Sequence, residues 1–217
     1  QLGLPRTIPA SILIETPGAL HDAWKIAALP GVVSLDFGLM DFVSAHHGAI
    51  PASAMVSPGQ FDHALVRHAK CEIALAALAH GVVPAHNVTR ALDAPERTFS
   101  DARRARDDFG YLRMWSIHPS QIEPIVAALR PELPEVTHAA GILVAAQDAA
   151  WAPLRIDGEL HDRASYRQSW TLLQRAHAAG LFRVCPRLPR GEHGGGDAVC
   201  FEQWLIGPGF QTAVERS

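Results

Sequence analysis

The sequence is poor in the features that mark several classes of protein. Three cysteines, Cys71, Cys185 and Cys200, are spread over 217 residues, and none stands in a CxxC pair. So sparse and odd a set argues against a disulfide framework and for a reducing compartment, the cytoplasm. No apolar run approaches the roughly 18–20 residues that a membrane span needs, so no membrane partner is expected. No secretory leader is read at the start. There is no basic block: 19 Lys and Arg stand against 22 Asp and Glu, a net charge of −3. The electrostatic footprint of a nucleic-acid binder is therefore missing. No GxGxxG follows any predicted strand, which weakens a dinucleotide fold. The GGG at 194–196 has no strand or helix context and carries no phosphate-binding argument. An initiating Met is missing too: the chain opens on Gln1, and a strand follows with no lead-in element, as in a piece of a longer protein.

What is present is an ordinary globular composition, 48% hydrophobic and 19% charged, arranged as alternating strands and helices. ILIET (12–16) reads as a short buried strand, and Pro17 suits the first turn of the helix that follows, over 17–29. VVSLDFG (32–38) is a second strand. After a loop-like HHGAIPASAMVSPGQ, a helix over 61–81 ends at Gly81. VVPAHNV (82–88) is a third strand candidate, weakened by Pro84. A charged helix over 99–110, with Ser100 as its N-cap, again ends in Gly. LRMWSIHP (112–119) is a fourth strand and 120–131 a helix. Four strand–helix units in a row argue for parallel β-structure, either a doubly wound sheet or half of a (β/α)8 barrel. Beyond them lie a helix over 136–152, an Asp-Gly turn in LRIDGELHD, a helix over 163–180, and a Pro- and Gly-rich tail expected to be irregular.

Polar residues gather at the ends of these strands. Glu15 ends the first, Asp41 lies just past the second, His86 and Asn87 sit late in the third, and His118 ends the fourth; Asp36 lies inside the second. In an α/β barrel the carboxyl ends of the strands form the rim on which active sites are built. A hard cation such as Mg²⁺ takes one or two carboxylates and leaves its other positions to water and substrate oxygens, so Glu15 and Asp41 fit such a site. Acidic residues also cap helices or simply face water, and spacing alone leaves both readings open. A strand-end histidine such as His118 more often just hydrogen-bonds its own loop. His46 and His47 read as loop histidines in water, and His63 and His68 as residues of a solvated helix face.

The stretches ILIETPGAL, VVSLDFGLMDF and MWSIHPSQIEPI, in that order, with RIDGELHD downstream, resemble the citrate lyase β-subunit-like and malyl-CoA lyase family. Those proteins carry strands ending in ETP, FGxxD and IHPxQI and a C-terminal DGxxxD element. The resemblance covers roughly residues 13–178. It implies a (β/α)8 TIM barrel, of which this chain holds the C-terminal half, plus a C-terminal helical extension. The divisions expected are a half barrel over 1–134, the extension over 135–180 reaching a neighbouring subunit, and an irregular tail over 181–217. It implies Mg²⁺, with Mn²⁺ as an alternative, held by Glu15 and Asp41. Substrate contacts fall to Glu15, Asn87, His118 and Pro119. The activity implied is cleavage or formation of a carbon–carbon bond in a 3-hydroxyacyl-CoA thioester such as malyl-, citramalyl- or citryl-CoA. Asp162 is then offered to a neighbouring subunit as catalytic acid/base, which implies a homo-oligomer, a trimer or a dimer of trimers.

The chain departs from that pattern where PAHNVT replaces a strand end that usually bears an Asp. The opening strands of the family, with an arginine for the substrate carboxylate, have no counterpart here, and the tail after Gly180 matches nothing in it. Two other readings stand beside the lyase: a CoA-independent aldolase acting on a hydroxy-keto acid, and a non-catalytic barrel fragment.

Overall fold

The computed structural model describes residues 8–181. The chain divides into two compact units, Gln1–Leu129 and Arg130–Ser217. The expectation for the tail over 181–217 falls, apart from its first residue, outside the described residues.

The first unit is built on four parallel strands, β1 (Ala10–Ile14), β2 (Val32–Phe37), β3 (Val83–His86) and β4 (Arg113–Met114), which pair in the order β1-β2-β3-β4. The register sets Ile14 beside Phe37, Asp36 beside Ala85, and Ala85 beside Arg113. Chain order and spatial order coincide. Right-handed crossovers that always step the same way put every connecting helix on one face. That is the winding of a (β/α)8 barrel, whereas a doubly wound sheet reverses direction part-way. The structure thus resolves the choice that the sequence left open in favour of the barrel.

The helices of this unit are α1 (Pro17–His21), α2 (Ala23–Ala27), α3 (Leu39–Ser44), α4 (Gly59–Asp62), α5 (Ala64–Ala79), α6 (Pro95–Phe109) and α7 (Ile122–Leu129). Several are shorter or shifted relative to expectation. The helix over 17–29 is broken at Asp22, which closes α1 and opens α2. Pro17 takes the first position, as expected, and Thr16 accepts from the Ala19 N–H at 3.1 Å. The helix over 61–81 breaks at His63, whose backbone is extended. Gly81 and Gly110 follow helix ends with φ of +67° and +74°, the left-handed conformation that glycine adopts freely. Ser100 is not an N-cap: α6 starts five residues earlier with Pro95 in its first turn and Ala94 as its cap residue. The core gathers Ile14, Leu35, Phe37, Phe42, Val66 and Ile73 between sheet and helices.

Two strands deserve a physical account. Pro84 lies in β3, flanked by strands on both sides. Its carbonyl accepts from Leu112 N–H on the β4 side. In a parallel strand a residue's N–H and C=O face the same neighbour. The missing donor therefore faces the ragged start of β4, and no bond to β2 is lost. The fourth strand, expected over 112–119, is only two residues long. Trp115 is 41% and Ile117 56% exposed, so among the described residues the apolar run that mimicked a buried strand is not covered by a second layer. His118 consequently lies beyond the strand and caps a 3₁₀ turn, Pro119–Gln121.

In the second unit α8 (Leu133–Asp148) and α9 (Arg163–Ala178) pack around Leu143, Tyr166 and Leu173. A hairpin of β5 (Leu154–Ile156) and β6 (Glu159–His161) joins them. Its two turn residues, Asp157 and Gly158, have φ of +49° and +88°. Positive φ at both positions matches the twist of a two-residue hairpin, and Asp-Gly is the dipeptide that tolerates it.

Candidate active site at the strand ends

Glu15 and Asp41 are brought to neighbouring positions by a single register. Ile14 pairs with Phe37, and its carbonyl accepts the N–H of Gly38 at 2.9 Å. Glu15 therefore leaves β1 beside Gly38. A Cβ on Gly38 would stand 2.5 Å from the Glu15 Cβ and 2.9 Å from its Oε2, closer than real side chains come. Gly38 is the notch through which the glutamate passes. It is also the cap residue of α3, whose first turn carries Asp41. Glu15 is half-buried and Asp41 exposed. Among the described residues neither carboxylate has a hydrogen-bond or ion-pair partner.

That donor set can be compared with what metals require. Among the described residues no group of three or more His, Cys, Asp or Glu could hold an ion. A protein cage of the zinc type is thus not built from them. Two hard, unpaired carboxylates at one rim do fit a small divalent cation that keeps most of its shell for water and ligand oxygens.

The end of β3 is built differently. His86 and Asn87 lie there, 0% and 3% exposed. Lys70, on α5, is also fully buried. Its ammonium donates to Asn87 Oδ1 at 2.5 Å and to Gln60 Oε1 at 3.4 Å, and it meets His86 Nε2. It also lies over the faces of Phe61 and Phe37, at 4.9 and 5.2 Å from their centres. His86 is stacked on Phe61 and places Nδ1 3.0 Å from the Asn87 carbonyl, which assigns the hydrogen to Nδ1 and leaves Nε2 as the acceptor for Lys70. Burial pushes the Lys70 ammonium well below its ordinary value. Burial, with Lys70 alongside, does the same to the His86 imidazolium. The Asn87 amide donates to Gln60 Oε1 at 2.8 Å and to the Val88 carbonyl. Both ends of the Asn87 side chain are thus bonded within the protein.

From Gln60 the network continues outward. Asp101, 3% exposed, accepts from Gln60 Nε2, from Ser57 Oγ and from Thr89 Oγ1 at 2.7 Å. The Thr89 carbonyl accepts from Gln121 Nε2 at 2.7 Å, and Gln121 Oε1 accepts the Ile117 N–H. Through Gln121 the buried polar chain reaches the His118 loop. His118 and Pro119 are exposed. His118 Nδ1 lies 2.8 Å from Ser120 Oγ and 3.3 Å from its N–H, the local bonding expected of a loop histidine.

Sequence reasoning missed Lys70, Gln60, Asp101 and Gln121. A signal existed for two of them. Lys70 interrupts the buried stripe of α5, Val66, Ala69, Ile73 and Ala77, and Asp101 sits among Thr98, Ala102 and Ala105 on α6. A charge at an apolar helical position must be compensated inside.

In the second unit Asp162 is the N-cap of α9. Its Oδ1 accepts from the Ala164 N–H at 2.9 Å, and its own N–H donates to Ser165 Oγ at 3.0 Å. It is exposed.

The fold and the rim define a protein of the (β/α)8-barrel class with a carboxylate pair at the strand ends. No family model matches the chain. The citrate lyase subunit beta-like protein of Deinococcus radiodurans is 29% identical over 178 residues, which are 80% of this chain and 59% of that protein. The crystal structure of a citrate lyase from Burkholderia xenovorans LB400 is 55% identical, with a TM-score of 0.77 over 87% of this chain and 57% of that one. The crystal structure of protein CitE from Mycobacterium tuberculosis, in complex with magnesium, acetoacetate and coenzyme A, is 27% identical. Its TM-score is 0.64 over 80% of this chain and 62% of that one. The chain is similar to proteins of the citrate lyase β-subunit-like family and spans about three fifths of the length of these relatives.

Proposed function

We propose that the chain carries the metal side of a Mg²⁺-dependent carbon–carbon lyase acting on a 3-hydroxyacyl-CoA thioester. The observation that carries the reading is the passage of Glu15 over Gly38 to the base of the helix bearing Asp41, with both carboxylates unpaired. The similarity to a relative that binds magnesium, acetoacetate and coenzyme A supports it. Bound there, the cation would act as a Lewis acid on a carboxylate or keto oxygen of the substrate.

Glu15 and Asp41 would hold the ion, and Gly38 would keep Glu15 in place. In the cleaving direction the Asp162 carboxylate of a neighbouring copy would take the substrate hydroxyl proton, the carbon–carbon bond breaks, and a keto acid leaves. The electron pair stays on the acyl thioester as an enolate, whose carbon takes up a proton. Asp162, from a neighbouring copy in a homo-oligomer, would supply it. His118 and Pro119, exposed beyond β4, would contact substrate; Asn87 would act through the loop it holds, because its amide is already bonded.

The test is a panel of malyl-, citramalyl- and citryl-CoA with Mg²⁺, against a chelator control and against free hydroxy-keto acids. Thioester cleavage lost on chelation is expected; turnover of the free acids alone would replace this reading by the aldolase one. Titration calorimetry with Mn²⁺ checks the ligands: Asp41→Asn is expected to lose metal binding, and unchanged affinity would sink the assignment.

A further inference from the structure

The second unit holds Asp162 more firmly than a helix cap requires. α8 closes on two left-handed residues, Ala150 and Trp151, with φ of +51° and +64°. The Ala150 N–H donates to the Gln147 carbonyl at 3.0 Å, and the Trp151 N–H to that of Ala146 at 2.7 Å. That pair of bonds is a Schellman close, in which glycine is the usual residue at the place of Ala150. An L residue keeps such a backbone only where its surroundings impose it. Here the turn delivers the half-buried Trp151 edge-on to Tyr166, with ring centres 6.1 Å apart.

Tyr166 is the centre of the arrangement. It is 3% exposed and packs in the core between α8 and α9. Its hydroxyl shares one proton between the carbonyls of Ala152, at 2.8 Å, and His161, at 3.1 Å. Ala152 stands two residues before β5, and His161 ends β6. One side chain therefore ties together the two ends of the hairpin, at its last pair, Leu154 with His161. Phenylalanine would fill the same space; what the hydroxyl adds is the tie. Burial and, after it, the Asp162 carboxylate hold the phenol above its ordinary value, so at neutral pH it remains a donor.

Asp162 follows His161 directly. Its carbonyl accepts the Tyr166 N–H at 3.0 Å and the Ser165 hydroxyl at 2.9 Å, and its Oδ1 accepts the Ala164 N–H. Oδ2 has no partner among the described residues. The tyrosine fixes the residue before Asp162, the cap fixes Asp162 itself, and one carboxylate oxygen is left free.

We propose that Tyr166 is a positioning residue: its hydroxyl clasps the base of the β5–β6 hairpin and so presents the free Asp162 oxygen at a fixed place to a neighbouring copy. The inference rests on the proton-transfer role given to Asp162 above. A proton-transfer group must lie within hydrogen-bond reach of the atom it serves, and a misplacement of about 1 Å can lower the rate about 10²-fold. An arm ordered beforehand also avoids the entropy of ordering on docking.

Tyr166→Phe in the full chain tests this. Hydrogen–deuterium exchange of the amides over 152–162 is expected to quicken about three- to tenfold, the worth of one neutral hydrogen bond, with exchange in the sheet of the first unit unchanged. In the thioester assay kcat should fall about ten- to hundredfold and KM should stay, because the Glu15 and Asp41 end is untouched. Asp162→Asn and the double variant complete a cycle: with Asp162 already disabled, adding Tyr166→Phe should lower turnover no further. A tyrosine that only supports the fold would lower the melting temperature and leave kcat per folded molecule unchanged, and that result overturns the proposal. Unchanged exchange over 152–162 overturns it too. Full turnover in Asp162→Asn overturns the acid/base reading and the positioning role with it. An inactive Asp162→Asn beside a fully active Tyr166→Phe overturns the positioning role alone.

Discussion

The joint exit of β1 and β2 and the exit of β3 lie side by side on one sheet and are built on opposite principles. At the first, Glu15 and Asp41 have no partner among the described residues, one is half-buried and one exposed, and Glu15 passes over a glycine notch. At the second, His86, Asn87, Lys70 and Gln60 are almost wholly buried and bonded to one another. An unpaired carboxylate at a rim is costly only in part, because water reaches it, and it is free to take a ligand. A buried polar group without partners costs about 1–3 kcal/mol or more, so burial demands a closed network. The same rim thus separates a ligand-facing end from a strut.

The strut is the first thing to break. Lys70→Ala removes one cation and strands acceptors on His86, Asn87 and Gln60, while also opening a hole beside Phe61. Loss of about 2–5 kcal/mol is expected, from the cavity and the stranded acceptors together, read from urea unfolding. The sign of the pH dependence follows from the depressed value of His86. Below about 6.5 the unfolded chain takes a proton on this imidazole and the folded chain does not. The unfolded state binds more protons, so stability falls as pH drops through that range. Lys70 acts alike at the alkaline end: its folded value lies below 10.5, so its contribution rises with pH until 10.5 is passed. Lys70→Met should abolish that alkaline rise. A difference between wild type and Lys70→Met that is flat with pH would show that the ammonium is not held in a desolvating site.

Much of this molecule is legible from sequence because its signals are local. Thr16-Pro17 opens a helix, Gly81 and Gly110 close helices, and Asp157-Gly158 turns a hairpin, each through the conformation of one or two residues. The placing of Glu15 and Asp41 is legible for the same reason: Glu15 follows β1 directly, and Asp41 lies in the first turn of the helix just past β2. The strut was not. Lys70 meets Asn87 seventeen residues on and Gln60 ten residues back, and Gln60 meets Asp101 forty-one residues away, separations that no periodicity reveals. The fourth strand failed in the other direction: LRMWSIHP has strand composition, but strand length is set by pairing and cover, and among the described residues the bonding to β3 stops at the Trp115 N–H, which donates to the His86 carbonyl at 3.0 Å.

The ligand-facing end breaks more gently. Gly38→Ala puts a Cβ 2.5 Å from the Glu15 Cβ, so the strand exit must shift. A cost of about 1–3 kcal/mol is expected, as for overpacking, together with weakened Mn²⁺ binding in calorimetry. Retained affinity in that variant would mean that the position of Glu15 over Gly38 is irrelevant to the ion.

The smallest effect separates two roles of one residue in the second unit. Asp162 caps α9 through Oδ1, and asparagine caps as well as aspartate, whereas alanine does not. Asp162→Ala should therefore cost about 1 kcal/mol of stability, and Asp162→Asn close to nothing. If the same carboxyl also moves a proton in a neighbouring copy, thioester turnover should fall about 10²–10⁴-fold in both variants. Melting temperature then follows the cap, and turnover follows the acid. An Asp162→Asn protein with full turnover would leave Asp162 as a cap and nothing more.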